Sequence, residues 1–347
     1  MKRTNMEQAA VIDFYRYPPI GAEDWRYTFA TGRVRSLETT MLPRSAFLDM
    51  ANADDFHTAL DMLSGSDYAD MQSAATLGEA ENMLLAKRRM VRNLFIDLMI
   101  DEDIAAVLRT RHDFANMRLA IRRVVTEKAI GLDYSDFGNV AVEDLEEIFA
   151  QENYDRLPHY LREAVEEAVL SYYVDKNIRR IDYAIDRHEA RYRIQKACEL
   201  GGVFLLSLFR TEIDLTNIRT LLRLKLADRP EKDHFLPGGF VETDRFVHGL
   251  DVGYEALATL FYATPYHDVV EGGVNYLTSE QSFLRLERLC EEHLMGFLRT
   301  TRALAAGPQP VIAYLLMKEN EIRTVRMILT CKNNGLDTRL ILDRLGE

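Results

Sequence analysis

Residues 314–336 read YLLMKENEIRTVRMILTCKNNGL, and the pattern inside them occurs twice more upstream. His112–Val125 (HDFANMRLAIRRVV) and Ile213–Leu226 (IDLTNIRTLLRLKL) align with it on Arg118, Arg219 and Arg326. Each copy has an acid five positions before the arginine: Asp113, Asp214 or Glu321. Asn116, Asn217 or Thr324 stands two before it, and an apolar Met117, Ile218 or Val325 directly before it. The acids are 101 and 107 residues apart, about one small domain each. A chain that repeats itself at such a spacing is read as a repeat architecture.

A second mark recurs ahead of each stretch. Short helical pieces through Phe47, Leu48, Phe56, Leu60 and Leu63 end at Ser66-Asp67-Tyr68-Ala69-Asp70, and Phe246–Leu260 leads in the same way to Thr264-Pro265-Tyr266-His267-Asp268. A weaker copy runs through Leu145, Ile148 and Phe149 to Tyr154. Between the marks lie helical stripes. Pro158 to Leu200 has no interior Gly or Pro, with apolar residues at helical spacing from Leu161 to Tyr192, and reads as one helix on the order of 60 Å long. Leu77–Leu108 and Ser282–Leu304 read as its equivalents. Almost no period-2 pattern appears, so the fold class is all-α.

The expected organisation is a lead-in and first helix over 1–41, then three helical units over 42–133, 139–228 and 237–347. In them Tyr68, Tyr154 and Tyr266 should be equivalent, as should the three acids. Asp214 reads as the cap of a helix beginning near Leu215, complementing its dipole. Asn217 falls on the same face, and Ile218, Leu221 and Leu222 supply the buried side. The recurring acid and arginine are thus a cap and salt bridge or, alternatively, a direct partner contact. Arg33 and Arg35 read as solvated charges on a surface helix, with a functional role as the alternative.

The run Tyr314–Arg326, followed by Lys332-Asn333-Asn334-Gly335-Leu336, resembles the C-terminal signature of the C subunit of archaeal and bacterial A/V-type ATPases, whose eukaryotic counterpart is the d subunit. Ile213–Arg223 and Arg33–Glu38 (RVRSLE) resemble the same family, so the likeness spans most of the chain; Thr324 departs from the expected Asn. The resemblance implies three bundles around a pseudo-threefold axis, forming a funnel. It implies a socket whose narrow end seats on the cytoplasmic face of the proteolipid rotor ring and whose open end receives the central shaft. It passes torque without binding nucleotide or moving an ion, so no cofactor is implied.

Composition sets bounds. At 347 residues the chain supports two or three domains, and 47% hydrophobic with 28% charged residues is a globular balance. A formal net charge of −12 argues against a nucleic-acid binder and against polybasic attachment to anionic lipid. Cys198, Cys290 and Cys331 are odd in number and form no CxxC pair, which fits a reducing cytosol. MKRTNMEQAA has no signal-peptide core, and runs such as Val203–Phe209 are far short of a bilayer span of roughly 20 residues. Membrane association is therefore expected through partners alone, on the cytoplasmic face.

Catalytic patterns are missing. There is no GxxxxGK[ST] cradle and no GxGxxG after a strand. His188-Glu189 lacks the second His of HExxH, Glu231–His234 is a lone ExxH, and Asp54-Asp55 has no third acid at a metal-binding spacing. No catalytic, cofactor or metal residue is expected. A coupling role in a rotary ATPase is the leading reading; a helical-repeat adaptor of another complex and a helical enzyme with an unrecognised site are the alternatives.

Overall fold

The computed structural model describes residues 17–126, 134–229 and 231–346, with the backbone alone at Asp175. The lead-in up to residue 16, the stretch 127–133 that closes the first expected unit, and Pro230 lie outside the described residues. Those described form helices and connecting turns, with no strand among them. Two compact units result. One joins the two ends of the chain, up to Ile100 and again from Gly253; the other runs from Asp101 to Val252.

In the first unit, a 3-10 turn capped by Asp24 precedes α1 (Thr28–Glu38). Then come α2 (Arg44–Asn52), α3 (Phe56–Asp61) and α4 (Leu77–Leu98). Thr76 and Glu79 make a capping pair at the start of α4: the Thr76 hydroxyl accepts from Glu79 N at 3.3 Å, and Glu79 Oε2 accepts from Ala75 N at 2.7 Å. The far end of the chain supplies α11 (Tyr254–Leu260), α12 (His267–Glu280), α13 (Leu284–Arg299), α14 (Pro308–Asn333) and α15 (Thr338–Leu345).

The spine of this unit is α14. Pro308 follows Gly307 and opens its first turn, where a missing N–H costs nothing. Its first half is buried almost all round, from Gln309 to Lys318, because α1, α2, α3, α4 and α13 pack on it from several sides. Arg35, expected to be solvated, instead donates to the Thr301 carbonyl at 2.6 Å and pairs with Glu38 at 2.7 Å. It fastens α1 to the turn after α13.

The second unit contains α5 (Glu102–Thr126), α6 (Val142–Ala150), α7 (His159–Asp175), α8 (Ile178–Glu199), α9 (Val203–Leu226) and α10 (Thr243–Asp251). Here the expectation of one long helix over Pro158–Leu200 fails. Lys176 turns left-handed at φ 57°, and Asn177 caps a new helix by accepting from Arg179 N. The halves fold back as a hairpin: Tyr160 stacks on Tyr192 at 4.6 Å, and Glu167 lies 2.6 Å from His188. Leu161, Val165 and Ala168 of α7 and Ile181, Ala184 and Ile185 of α8 enter one core. Burying each larger side chain contributes about 1.5–3 kcal/mol, which outweighs the cost of one left-handed lysine. Leu77–Leu108 is likewise not one helix, since α4 ends at Leu98 and α5 begins at Glu102 as the chain passes between units.

Candidate functional site

Three buried carboxylates occupy the recurring positions. Asp113, Asp214 and Glu321 are 1%, 0% and 4% exposed, which for ionisable groups demands partners. Contrary to the expectation that it caps a helix beginning near Leu215, Asp214 lies in the interior of α9 and caps nothing there. It accepts instead from Phe240 N at 3.0 Å and Val241 N at 3.2 Å, donors 26 and 27 positions downstream. Asp113, inside α5, accepts from Asn139 N at 2.7 Å and Val140 N at 3.0 Å, at the same offsets of 26 and 27.

Each acid thus pins the backbone just ahead of another helix. Val140 and Val241 stand two residues before the first residues of α6 and α10. Glu321, inside α14, accepts from Leu42 N at 2.7 Å, and Leu42 stands two residues before α2. These short helices have no side-chain cap of their own, so a carboxylate from a distant helix takes up the amide groups at their entry.

Two glycines make room for this. A Cβ on Gly138 would lie 2.4 Å from Asp113 Oδ1, and one on Gly239 would lie 2.0 Å from Asp214 Oδ1. Each stands 25 positions after its acid, a signal the sequence carried unread. Burial pushes the Asp113 carboxyl above its ordinary value, opposed by the hydrogen bonds from Val140, Tyr160 and Asn139.

The three phenols of the second mark make different contacts. The Tyr68 hydroxyl donates to Glu321 at 2.8 Å. In the second unit Tyr160 does the same to Asp113, also at 2.8 Å, whereas Tyr154 packs edge-on against Phe149. Tyr266, buried like Tyr68, rests on His293 at 5.0 Å. Tyr68 and Tyr266 share a local turn, with Ser66 or Thr264 accepting from the tyrosine N–H.

Asn116 and Asn217 are also matched. Each amide both donates to and accepts from one backbone position 19 residues downstream, Ser135 or Leu236, at 2.8–2.9 Å. Thr324 bonds back to the Asn320 carbonyl of its own helix at 3.0 Å, so the shorter side chain forms no such clasp. In its place the third site holds Lys318, 1% exposed, with Nζ 2.5 Å from Glu321 and 3.0 Å from Asp67. Sequence reading missed Lys318, because a lysine three residues before a glutamate on a helix is ordinarily a surface pair.

The arginines do not share one setting. Arg118 of α5 meets Asp182 and Asp186 of α8. Arg326 is 58% exposed at its side chain and meets Glu81 of α4 at 2.7 Å. Arg219 is half-buried on α9. Burial raises the carboxyl of Glu212, but Arg193, Arg111 and Arg219 together outweigh it and leave that group below its ordinary value.

Histidine chemistry is sparse. His234 pairs with Glu231 at 3.1 Å and stacks on Tyr183 at 3.6 Å. His267, Asp268 and Glu271 bring one ligand atom each within 4.8 Å of one another, a grouping the histidine spacing did not suggest. They lie on the first turn of α12 with both acids exposed, where carboxylates gather without an ion. No described helix is long and apolar enough to cross a membrane.

The acid clasps sit within a stretch that known proteins share. The sequence model of the ATP synthase (C/AC39) subunit family matches residues 30–344. The chain belongs to that family. Among its relatives, the C subunit of the A-type ATP synthase of Thermococcus onnurineus is 24% identical over 93% of this chain and 92% of its own length. That of Thermococcus gammatolerans is 26% identical, covering 92% and 90%. The C subunit of the V-type sodium ATPase of Enterococcus hirae is 21% identical, covering 90% and 96%. All three clasp acids of this C/AC39 family member fall inside the matched residues.

Proposed function

We propose that the chain is a non-catalytic central-stalk subunit of a rotary A/V-type ATPase, a socket that couples the central shaft to the proteolipid ring. The observation that carries this reading is the family match over residues 30–344, supported by A-type and V-type relatives aligned across nearly their whole length. The build suits the task. A torque adaptor must not yield under load, and long helices with acids pinning distant segments resist local opening. On this reading the chain sits on the cytoplasmic face through its partners and takes no nucleotide or metal.

Three repeats, over 42–133, 139–228 and 237–347 around a pseudo-threefold axis, would account for the matched clasps. Each acid ends one repeat and holds the entry of the next, and Glu321 returns to Leu42 to close the cycle.

The test is assembly. The chain should co-purify at substoichiometric ratio to the proteolipid, and its deletion should leave ATP hydrolysis uncoupled from ion movement. Isolated protein that turns over ATP, or that binds Mg-ATP with a micromolar constant (about −8 kcal/mol), overturns the reading.

A further inference from the structure

We propose that the facing surfaces of α4 and α14 form an anion-binding seat for the carboxylates of an acidic segment brought by a partner protein. Two ion pairs frame the seat. Arg92 Nε lies 2.7 Å from Glu319 Oε1, and Arg326 holds Glu81 through Nε at 2.9 Å and Nη2 at 2.7 Å. Residue numbers rise along α4 as they fall along α14, so the helices are antiparallel. Arg88 and Arg323 therefore lie between the two rungs.

Neither of these two arginines has an ion pair among the described residues, and Arg88 Nε is buried with no acceptor. Beside the Arg92–Glu319 and Arg326–Glu81 pairs, Arg88 and Arg323 add two guanidiniums with no ion pair among the described residues, in a chain whose formal net charge is −12. Burial, partly offset by Glu319, and then the charges of Arg92, Arg323 and Arg326 hold the Arg88 guanidinium below the ordinary arginine value.

The contrast with the second unit shows that the excess is not a general feature of these helix pairs. There Arg118 and Arg122 of α5 face Asp182 and Asp186 of α8, two charges against two. Against α4, α14 brings Arg323 and Arg326 as well as Glu319. Like charges held together cost stability unless a counter-ion is supplied from outside.

The shape favours a row of carboxylates over a single phosphate. The charges are strung along roughly 16 Å of helix. All four arginines stand well past the first turns of α4 and α14, away from the free amide groups with which a helix start cradles a phosphate. Guanidinium forks take carboxylates in pairs of hydrogen bonds, and a helical acidic segment presents them at matching spacing. The partner's membership of the proposed complex rests on the functional reading above; the anion chemistry does not.

A labelled deca-glutamate peptide, titrated into the full chain at low salt and followed by anisotropy, tests this without any other protein of the complex. Binding is expected to weaken about tenfold in R88Q/R323Q and to be unchanged in R179Q/R180Q, which removes two exposed charges elsewhere. R88K/R323K should fall between, since charge stays while the fork is lost. The R88Q/R323Q protein should melt no lower than the parent, which excludes misfolding as the cause. No binding at low salt, or equal weakening in both double variants, overturns the seat. Displacement of the peptide by micromolar pyrophosphate at constant ionic strength overturns its occupant.

Discussion

Tyr68 and Glu321, 253 positions apart in sequence, meet at 2.8 Å with the phenol donating to the carboxylate. Both are almost fully buried, and Lys318 lies over the Tyr68 ring at 4.8 Å while bonding the same carboxylate oxygen. Desolvation and the nearby Glu321 charge push the phenol well above its ordinary value, so it stays a donor throughout the accessible pH range. This contact ties the first part of the chain to the last.

Removing parts of this cluster should give graded losses. Tyr68→Phe deletes one hydrogen bond to a charged acceptor that keeps Lys318 and Leu42, and should cost about 1–2 kcal/mol in chemical denaturation. Glu321→Ala leaves Lys318 buried without its main partner and should cost about 3–5 kcal/mol. Equal losses would show that the lysine finds enough compensation in Asp67.

Glycine substitutions separate close approach from helix propensity. Gly138→Ala and Gly239→Ala force a methyl onto a clasp carboxylate and should each destabilise by about 1–3 kcal/mol. Gly32→Ala, inside α1 with nothing within 4 Å of the new Cβ, should stabilise by roughly 0.5–1 kcal/mol. Thermal melts of the three variants decide it.

The arginines should rank by setting. Arg118→Ala takes from Asp186 its close partner, while Asp182 keeps Arg122, and should lower stability by about 1–2 kcal/mol. Arg326→Ala breaks a largely exposed pair and should cost less than about 1 kcal/mol. An Arg118→Ala protein that melts normally but loses about tenfold in affinity for the central shaft would move Arg118 from a structural brace to an interface.

His293 gives a pH signature. Burial pulls its pKa down to about 4, and its Nε2 has no hydrogen-bond partner. An unfolded histidine titrates near 6.5 and so binds a proton more readily than the folded one between those values. Stability tied to the neutral ring is complete above about 6.5 and is lost as pH falls toward 4, by at most about 3 kcal/mol. His293→Phe keeps a ring beside Tyr17 and Tyr266 and should flatten this part of the stability–pH curve. A curve unchanged by the substitution assigns the acid loss to other groups.

Helicity and family membership were legible in the amino-acid sequence, because apolar spacing and the 314–336 signature are local properties. The sequence also marked Asp113, Asp214 and Glu321 as a set. What those acids do depends on the folded chain. A carboxylate inside a helix and one at its start look alike in sequence, and the donors lie 26 or more positions away. The break at Lys176 was invisible for a similar reason. No Gly or Pro marks it, the cap residue Asn177 is a weak signal inside a continuous stripe, and the fold-back is driven by the burial of two apolar stripes against each other. Lys318 was hidden by its charge, and its burial depends on Asp67 and Tyr68, which only folding brings to it.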